Sequence, residues 1–284
     1  MTRVTGLEHL TLLGVPPPEL VTVAAGAGFS AVGLRVSPAT DGEAQWPMKP
    51  GSPMLTETAL RSADLGIAVL DVEAIRLGPR PSPFTPVLET AAALGAVFVN
   101  AICEDPDLGR LASSFARLVE AARPYGVRPV VEFMAYRSVR TLDDAAAVAT
   151  GSGGGGILID ALHVQRCGVS LAALRALSPA LVTYVQLCDA PVAAPPDEVA
   201  EARAGRLLPG DGELPLRALL AALPDGIPVA VEAPQPGAAG DPAAFARRAR
   251  RALESVLSPS RPAQSHPAQS PPAQSPPAQA KERP

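Results

Sequence analysis

A chain of 284 residues is long enough for one large barrel or two ordinary domains, and with 47% hydrophobic but only 4% aromatic residues its core must be filled by Ala, Val and Leu. The net charge of −4 and pI near 5.5 argue against a nucleic-acid partner, which needs a basic face, and no apolar run approaches the ~18 residues of a membrane span. Cys103, Cys167 and Cys188 show neither CxxC spacing nor even pairing, and the opening Met1-Thr2-Arg3-Val4 leads into strand-like sequence without a long apolar signal region, so the expected location is a reducing cytoplasm.

Parallel strands buried on both faces read as short continuous apolar runs. Eight such runs occur, at residues 7–14, 31–36, 67–70, 97–100, 128–133, 157–161, 182–187 and 227–232. Between them, residues 19–27, 86–94, 108–125, 142–150 and 171–177 carry apolar side chains at the three- and four-residue spacing of helices. Alternating strands and helices predict parallel pairing, and eight repeats predict closure into a single α/β (β/α)8 TIM barrel over residues 1–256. An open doubly wound sheet would have fewer units and a Gly-rich first turn, whereas the first turn here is Val15-Pro16-Pro17-Pro18.

The run Gly151-Ser152-Gly153-Gly154-Gly155-Gly156 follows a helical stretch and precedes a strand, the reverse of a phosphate-binding loop, so it reads as a flexible connector on the bottom face. Residues 257–284 are rich in Pro, Ala, Gln and Ser, with a repeating pentad over 262–280. Such a segment cannot bury enough apolar surface to offset its ordering entropy, and a disordered tail is expected, with no role for His266.

In this barrel class the chemistry lies at the C-terminal ends of the strands. Those positions hold Arg35 after the second strand, Glu73 and Arg76 beyond the third, and Asn100 at the end of the fourth. The next four strands deliver Glu132, Asp160 with His163 beyond, Gln186 with Asp189 beyond, and Glu232. A carboxylate directly after an apolar run is costly to bury unless it is paired or bound to metal. One such residue is readily explained by a salt bridge; oxygen donors on four consecutive strands point instead to a divalent cation. Three carboxylates and an amide are hard ligands, favouring Mn2+ or Mg2+, with Co2+ as a further candidate, over structural zinc. His163 fits either a general acid/base or a residue that orients a ligand. Arg206, in the Gly-rich stretch 203–213, either reaches an anionic substrate group or staples its loop to Asp211 or Glu213, and Arg35 and Arg76 carry the same two readings. His9 is as consistent with a packed core position as with a site, and Cys188 reads as packing.

The segments Val131-Glu132-Phe133, Ile159-Asp160-Ala161-Leu162-His163, Val185-Gln186-Leu187-Cys188-Asp189, 206–212 and Val231-Glu232 together resemble the xylose-isomerase-like barrel superfamily of sugar phosphate isomerases and epimerases. The resemblance spans residues 5–256. It implies a metal held by Glu132, Asp160, Gln186 and Glu232, with Glu132 and Glu232 also exchanging protons with the substrate. Gln186 stands where ketose epimerases of the superfamily carry His, although hydroxypyruvate-isomerase-like members also use Gln. The Gln, the Asp-x-x-His pair and the late Arg before Pro-Gly also resemble 3-dehydroshikimate dehydratases. Endonuclease IV shares the barrel but needs many more histidines than the three present. The implied substrates are a small sugar, a sugar phosphate or a cyclic keto acid, met by Arg35, Glu73, Arg76, Asn100 and Arg206. Relatives are often oligomers, so a homo-oligomer is a further expectation. A barrel without catalysis, serving as a scaffold, is the rival of another class.

Overall fold

The computed structural model describes residues 3–43, 45–80 and 82–258. Eight parallel strands close in chain order into one barrel. The strands are β1 (Thr5–Glu8), β2 (Ala31–Arg35), β3 (Ala68–Leu77), β4 (Phe98–Cys103), β5 (Arg128–Glu132), β6 (Gly156–Asp160), β7 (Val182–Leu187) and β8 (Val229–Val231). Closure is made by β1 and β8, with Leu7 beside Val231. Helices α1 (Pro17–Ala27), α2 (Pro53–Leu65), α3 (Thr85–Leu94), α4 (Leu108–Ala122) and α5 (Leu142–Thr150) cover the first five connections between strands. They are followed by α6 (Ala161–Arg166), α7 (Leu171–Ala176), α8 (Glu198–Ala204), α9 (Leu216–Leu220) and α10 (Pro242–Leu257). The helix starts follow local chemistry: Ser52, Asp107, Thr141, Ser170, Asp197 and Asp241 each accept a backbone N–H from the first turn that follows.

Several strands differ from the sequence reading: β4 runs on to Cys103, so Asn100 lies inside it rather than at its end, β8 is confined to Val229–Val231, and β1 and β3 shift the most. The first strand is Thr5–Glu8 rather than residues 7–14, because the chain turns into a 3-10 helix at His9–Leu12. The buried His9 ring stabilises that turn: Nε2 lies 2.9 Å from the Val15 carbonyl, and Nδ1 accepts the Arg35 N–H at 3.1 Å. His9 is therefore a packed connector between β1 and β2. The third strand runs on to Leu77, and its polar Asp71, Glu73 and Arg76 had hidden that length. The glycine run does sit before β6, as expected, but it is tied down. Gly155 N donates to Ser152 Oγ at 2.9 Å, and the Arg128 guanidinium donates to the Gly155 carbonyl at 2.9 Å. A Cβ on Gly155 would lie 2.3 Å from the Phe115 ring, so close packing selects glycine there. The expected tail falls outside the described residues from 259 onward, while Leu257 still belongs to α10.

Side chains on a strand alternate between the barrel interior and the helix layer. An apolar layer of Ala31, Leu70, Phe98, Val130, Leu158, Tyr184 and Ala230 closes the lower interior. Two residues further along, the same faces of β4 to β7 carry Asn100, Glu132, Asp160 and Gln186, and Glu232 follows β8. The hydrophobic plug thus supports a polar floor at the C-terminal rim.

Candidate active site

The floor is buried. Asp160 and Gln186 are fully inaccessible, while Glu132, Glu232 and Arg206 keep at most 6% of their surface. Asp160 ends β6 and caps α6: its Oδ1 accepts the N–H groups of Leu162 at 2.7 Å and His163 at 3.1 Å. Its Oδ2 accepts from Arg206 Nη1, which also lies 3.0 Å from Glu232 Oε2. Glu132 accepts from Asn100 Nδ2 at 3.2 Å, and its other oxygen is 3.6 Å from His163 Nε2. Gln186 sits beside Asp160 in register, yet neither of its amide atoms has a partner.

Arg206 therefore does not staple its own loop to Asp211 or Glu213. Asp189 organises that segment: one oxygen accepts Leu214 N and the other Gly210 N, both at 2.9 Å, and Leu207 and Asp189 exchange backbone hydrogen bonds. Gly212 packs against it so closely that a Cβ would stand 2.5 Å from Asp189 Oδ1. The folded segment presents Arg206 to the floor, and its Nε donates to the Ala202 carbonyl at 2.8 Å. Cys188 is buried beside this guanidinium, 3.8 Å from Nη1.

These contacts set the proton affinities. Burial, reinforced by Asp160 and Glu232, pushes the Glu132 carboxyl well above the usual range against the opposing pull of Arg206. Glu232 is pushed up to about 8 by burial and by Glu73 and Asp160, again against Arg206. Burial acts upward on Asp160 too, but Arg206, first by its charge and then by its hydrogen bond, together with the neighbouring His163, outweighs it and holds the group below its ordinary value. His163 is lowered to about 4 by burial, with Arg206 adding to the effect. It is therefore neutral at pH 7, with Nδ1 unpartnered and the Tyr136 ring packed edge-on at 5.7 Å.

A second polar group fills the opposite side of the barrel. Arg35 bonds Glu73 at 2.7 Å and Glu43 at 2.8 Å. Beneath it, Glu8 and Asp71 are fully buried and flank Gly33. Arg76 points away: it pairs with Glu104 at 2.9 Å and Asp41 at 2.6 Å, and it does not line the cavity. That cavity, of about 380 Å3, opens above the floor and is lined by Arg35, Glu73, Asn100, Glu132, His163, Arg206 and Glu232 among others. Its size is that of a small-molecule pocket. Glu8, Asp71, Tyr136 and Arg203 were not found by sequence reasoning. Glu8 carries the same signal as Glu132, a carboxylate beside apolar residues, but the apolar residues continue past it into the 3-10 turn and conceal the end of β1.

The residues present fit a divalent cation. Ligand atoms of Glu132, Asp160 and His163 all lie within 4.8 Å of one another. The orphaned, buried Gln186 amide beside them is the kind of group a bound ion would satisfy. A dication would balance the three carboxylates once Arg206 is counted.

A parallel eight-stranded barrel with its polar pocket at the strand ends defines the class of (β/α)8 barrel proteins. The family model described as xylose isomerase-like TIM barrel matches residues 21–256, and the chain belongs to that family. Among curated proteins no match is found. Among solved structures, the IolI protein with a bound zinc atom shares 18% identity at a TM-score of 0.70, over 90% of this chain and 96% of that one. A D-psicose 3-epimerase with D-tagatose from Clostridium cellulolyticum H10 shares 15% at 0.66, over 90% and 98%. The probable 3-DHS dehydratase AsbF of Bacillus anthracis shares 11% at 0.69, over 88% and 98%. A fusion of a xylose isomerase-like barrel with 4-hydroxyphenylpyruvate dioxygenase, at 20% and 0.75, is longer, and this chain covers 43% of it.

Proposed function

We propose that the protein is a divalent-metal-dependent enzyme of the isomerase/epimerase type, which removes and returns a proton next to the carbonyl of a small hydroxylated substrate. The observation that carries this reading is the placement of Glu132 and Glu232, two buried carboxyl groups on two strands, on the floor of one cavity. Glu132, Asp160, Gln186 and Glu232 would hold the ion, with His163 close enough to join or orient them. The metal supplies Lewis acidity, which stabilises charge developing on a substrate carbonyl oxygen.

The chain's own residues provide the remainder. One glutamate takes the proton from carbon and the other returns it. Arg206 keeps Asp160 ionised and limits the charge on the floor. Asn100 fixes Glu132 from the other side.

A dehydratase is the second reading, favoured by Gln186 and by His163 standing 3.6 Å from Glu132, where it could help move a proton to a leaving hydroxyl. The structural neighbours of this chain include an epimerase and a probable dehydratase, so they support both. Incubation of the Mn2+-loaded protein with ketoses, hydroxypyruvate, inosose and 3-dehydroshikimate in D2O separates the readings. Deuterium incorporation without loss of water supports the isomerase, and an aromatic product from dehydroshikimate supports the lyase. Full activity in both Glu132→Gln and Glu232→Gln would sink the shared mechanism. Failure of the protein to bind any divalent metal would favour a non-catalytic scaffold.

A further inference from the structure

Four arginines border the cavity: Arg35, Arg137, Arg203 and Arg206. Three are neutralised within the protein. Arg35 is held by Glu73 and Glu43, Arg206 by Asp160 and Glu232, and Arg137 by Glu104 at 2.8 Å. The rim carboxylate Asp41 is already taken by Arg76. On α8 itself, Glu201 is bound to Arg166 at 2.6 Å. Arg203 makes no ion pair among the described residues, and it is exposed while still lining the cavity.

Arg203 lies in the last turn of α8, and Arg206 follows three residues on, where the chain passes from α8 into the Asp189-organised segment. Arg206 is buried against the floor, and Arg203 stands at the mouth. A substrate whose carbonyl end sits over Glu132 and Glu232 therefore extends its far end toward an uncompensated guanidinium. A neutral sugar would leave that guanidinium partnered by water alone. A phosphate or carboxylate would meet it with charge-assisted, two-pronged hydrogen bonds.

We propose that Arg203 is the anion anchor of the cavity and that the substrate carries a terminal phosphate or carboxylate group. The assignment of the carbonyl end to the floor rests on the function proposed above; the anion site itself does not. Calorimetric titration of the Mn2+-loaded full chain with inorganic phosphate and, separately, malonate tests it. The wild type should bind at least one of them, which identifies the group. Arg203→Ala should weaken that binding by roughly tenfold to a hundredfold, the range for a hydrogen bond to a charged group, and Arg203→Lys should fall between. The proposal is overturned if the wild type binds neither anion, if Arg203→Ala binds as tightly, or if Arg137→Ala loses binding to the same extent as Arg203→Ala. Arg203-dependent anion binding with no turnover of any carbonyl substrate would leave this inference standing and defeat the isomerase reading. Turnover of anionic substrates with KM unchanged in Arg203→Ala would do the reverse.

Discussion

Glu8 Oε2 lies directly over Gly33 on the neighbouring strand, 1.7 Å from where a Cβ on Gly33 would stand. Asp71 Oδ1, from the next strand, lies 2.5 Å from the same point. The missing side chain is therefore what admits two carboxyl groups into the barrel interior. Gly33→Ala must displace Glu8, Asp71 or the backbone of β2. Overpacking of this kind costs about 1–3 kcal/mol, which corresponds to a Tm lower by roughly 2–12 °C for a chain of this size. Thermal unfolding with an unchanged Tm would show that the carboxylates can move aside freely.

The same pair makes stability depend on pH. Burial, with the neighbouring carboxylates, pushes Glu8 well above its ordinary value, and Asp71 is pushed up to about 8. A folded chain that binds these protons more tightly than the unfolded one is favoured fully below the ordinary carboxylate range. That advantage is lost as pH rises toward about 8, with a slope of at most about 1.4 kcal/mol per pH unit for each proton. Asp71→Asn should flatten the slope and raise stability at the upper end. Denaturant midpoints measured across this window check it, and a midpoint that rises with pH in the wild type would contradict the arrangement.

The contrast between the two sides of the barrel explains what could be read from sequence. On β5, β6 and β8 the inward polar residue comes only at the strand end, so an uninterrupted apolar run announces both the strand and its carboxylate. On β3 the polar Asp71 and Glu73 fall inside the strand and break the run, and on β1 the apolar residues continue into a 3-10 turn. The pairing of Arg206 with Asp160 spans 46 positions and depends on how Asp189 folds the intervening segment. No local pattern encodes it. The same holds for Arg203, whose significance lies in the partners its neighbours already have.

Arg206 links the floor to metal binding. Arg206→Met leaves Asp160 and Glu232 buried without their cation, and breaking a buried pair in this way costs about 3–5 kcal/mol. At the proposed metal site a divalent ion would replace the lost positive charge, whereas in the wild type it would share the same oxygens with a guanidinium. Excess Mn2+ should therefore raise the Tm of Arg206→Met by more degrees than that of the wild type. Equal increments in the two proteins would show that ion and arginine do not act on the same carboxylates.

Gln186 separates a ligand from a passive core residue. Its two amide atoms are buried and unpartnered, a state that costs on the order of 1–3 kcal/mol and that a bound ion would relieve. Gln186→Leu has nearly the same shape and nothing left to satisfy. In protein stripped with chelator, the substitution should leave stability unchanged or raise it by up to that amount. In the same variant, Mn2+ affinity should fall at least about tenfold, as expected when a residue of the coordination environment is lost. A metal-free protein destabilised by Gln186→Leu would mean the amide has partners within the folded chain. Unchanged Mn2+ affinity would remove Gln186 from the ligand set and leave Glu132, Asp160 and His163 as the centre of the site.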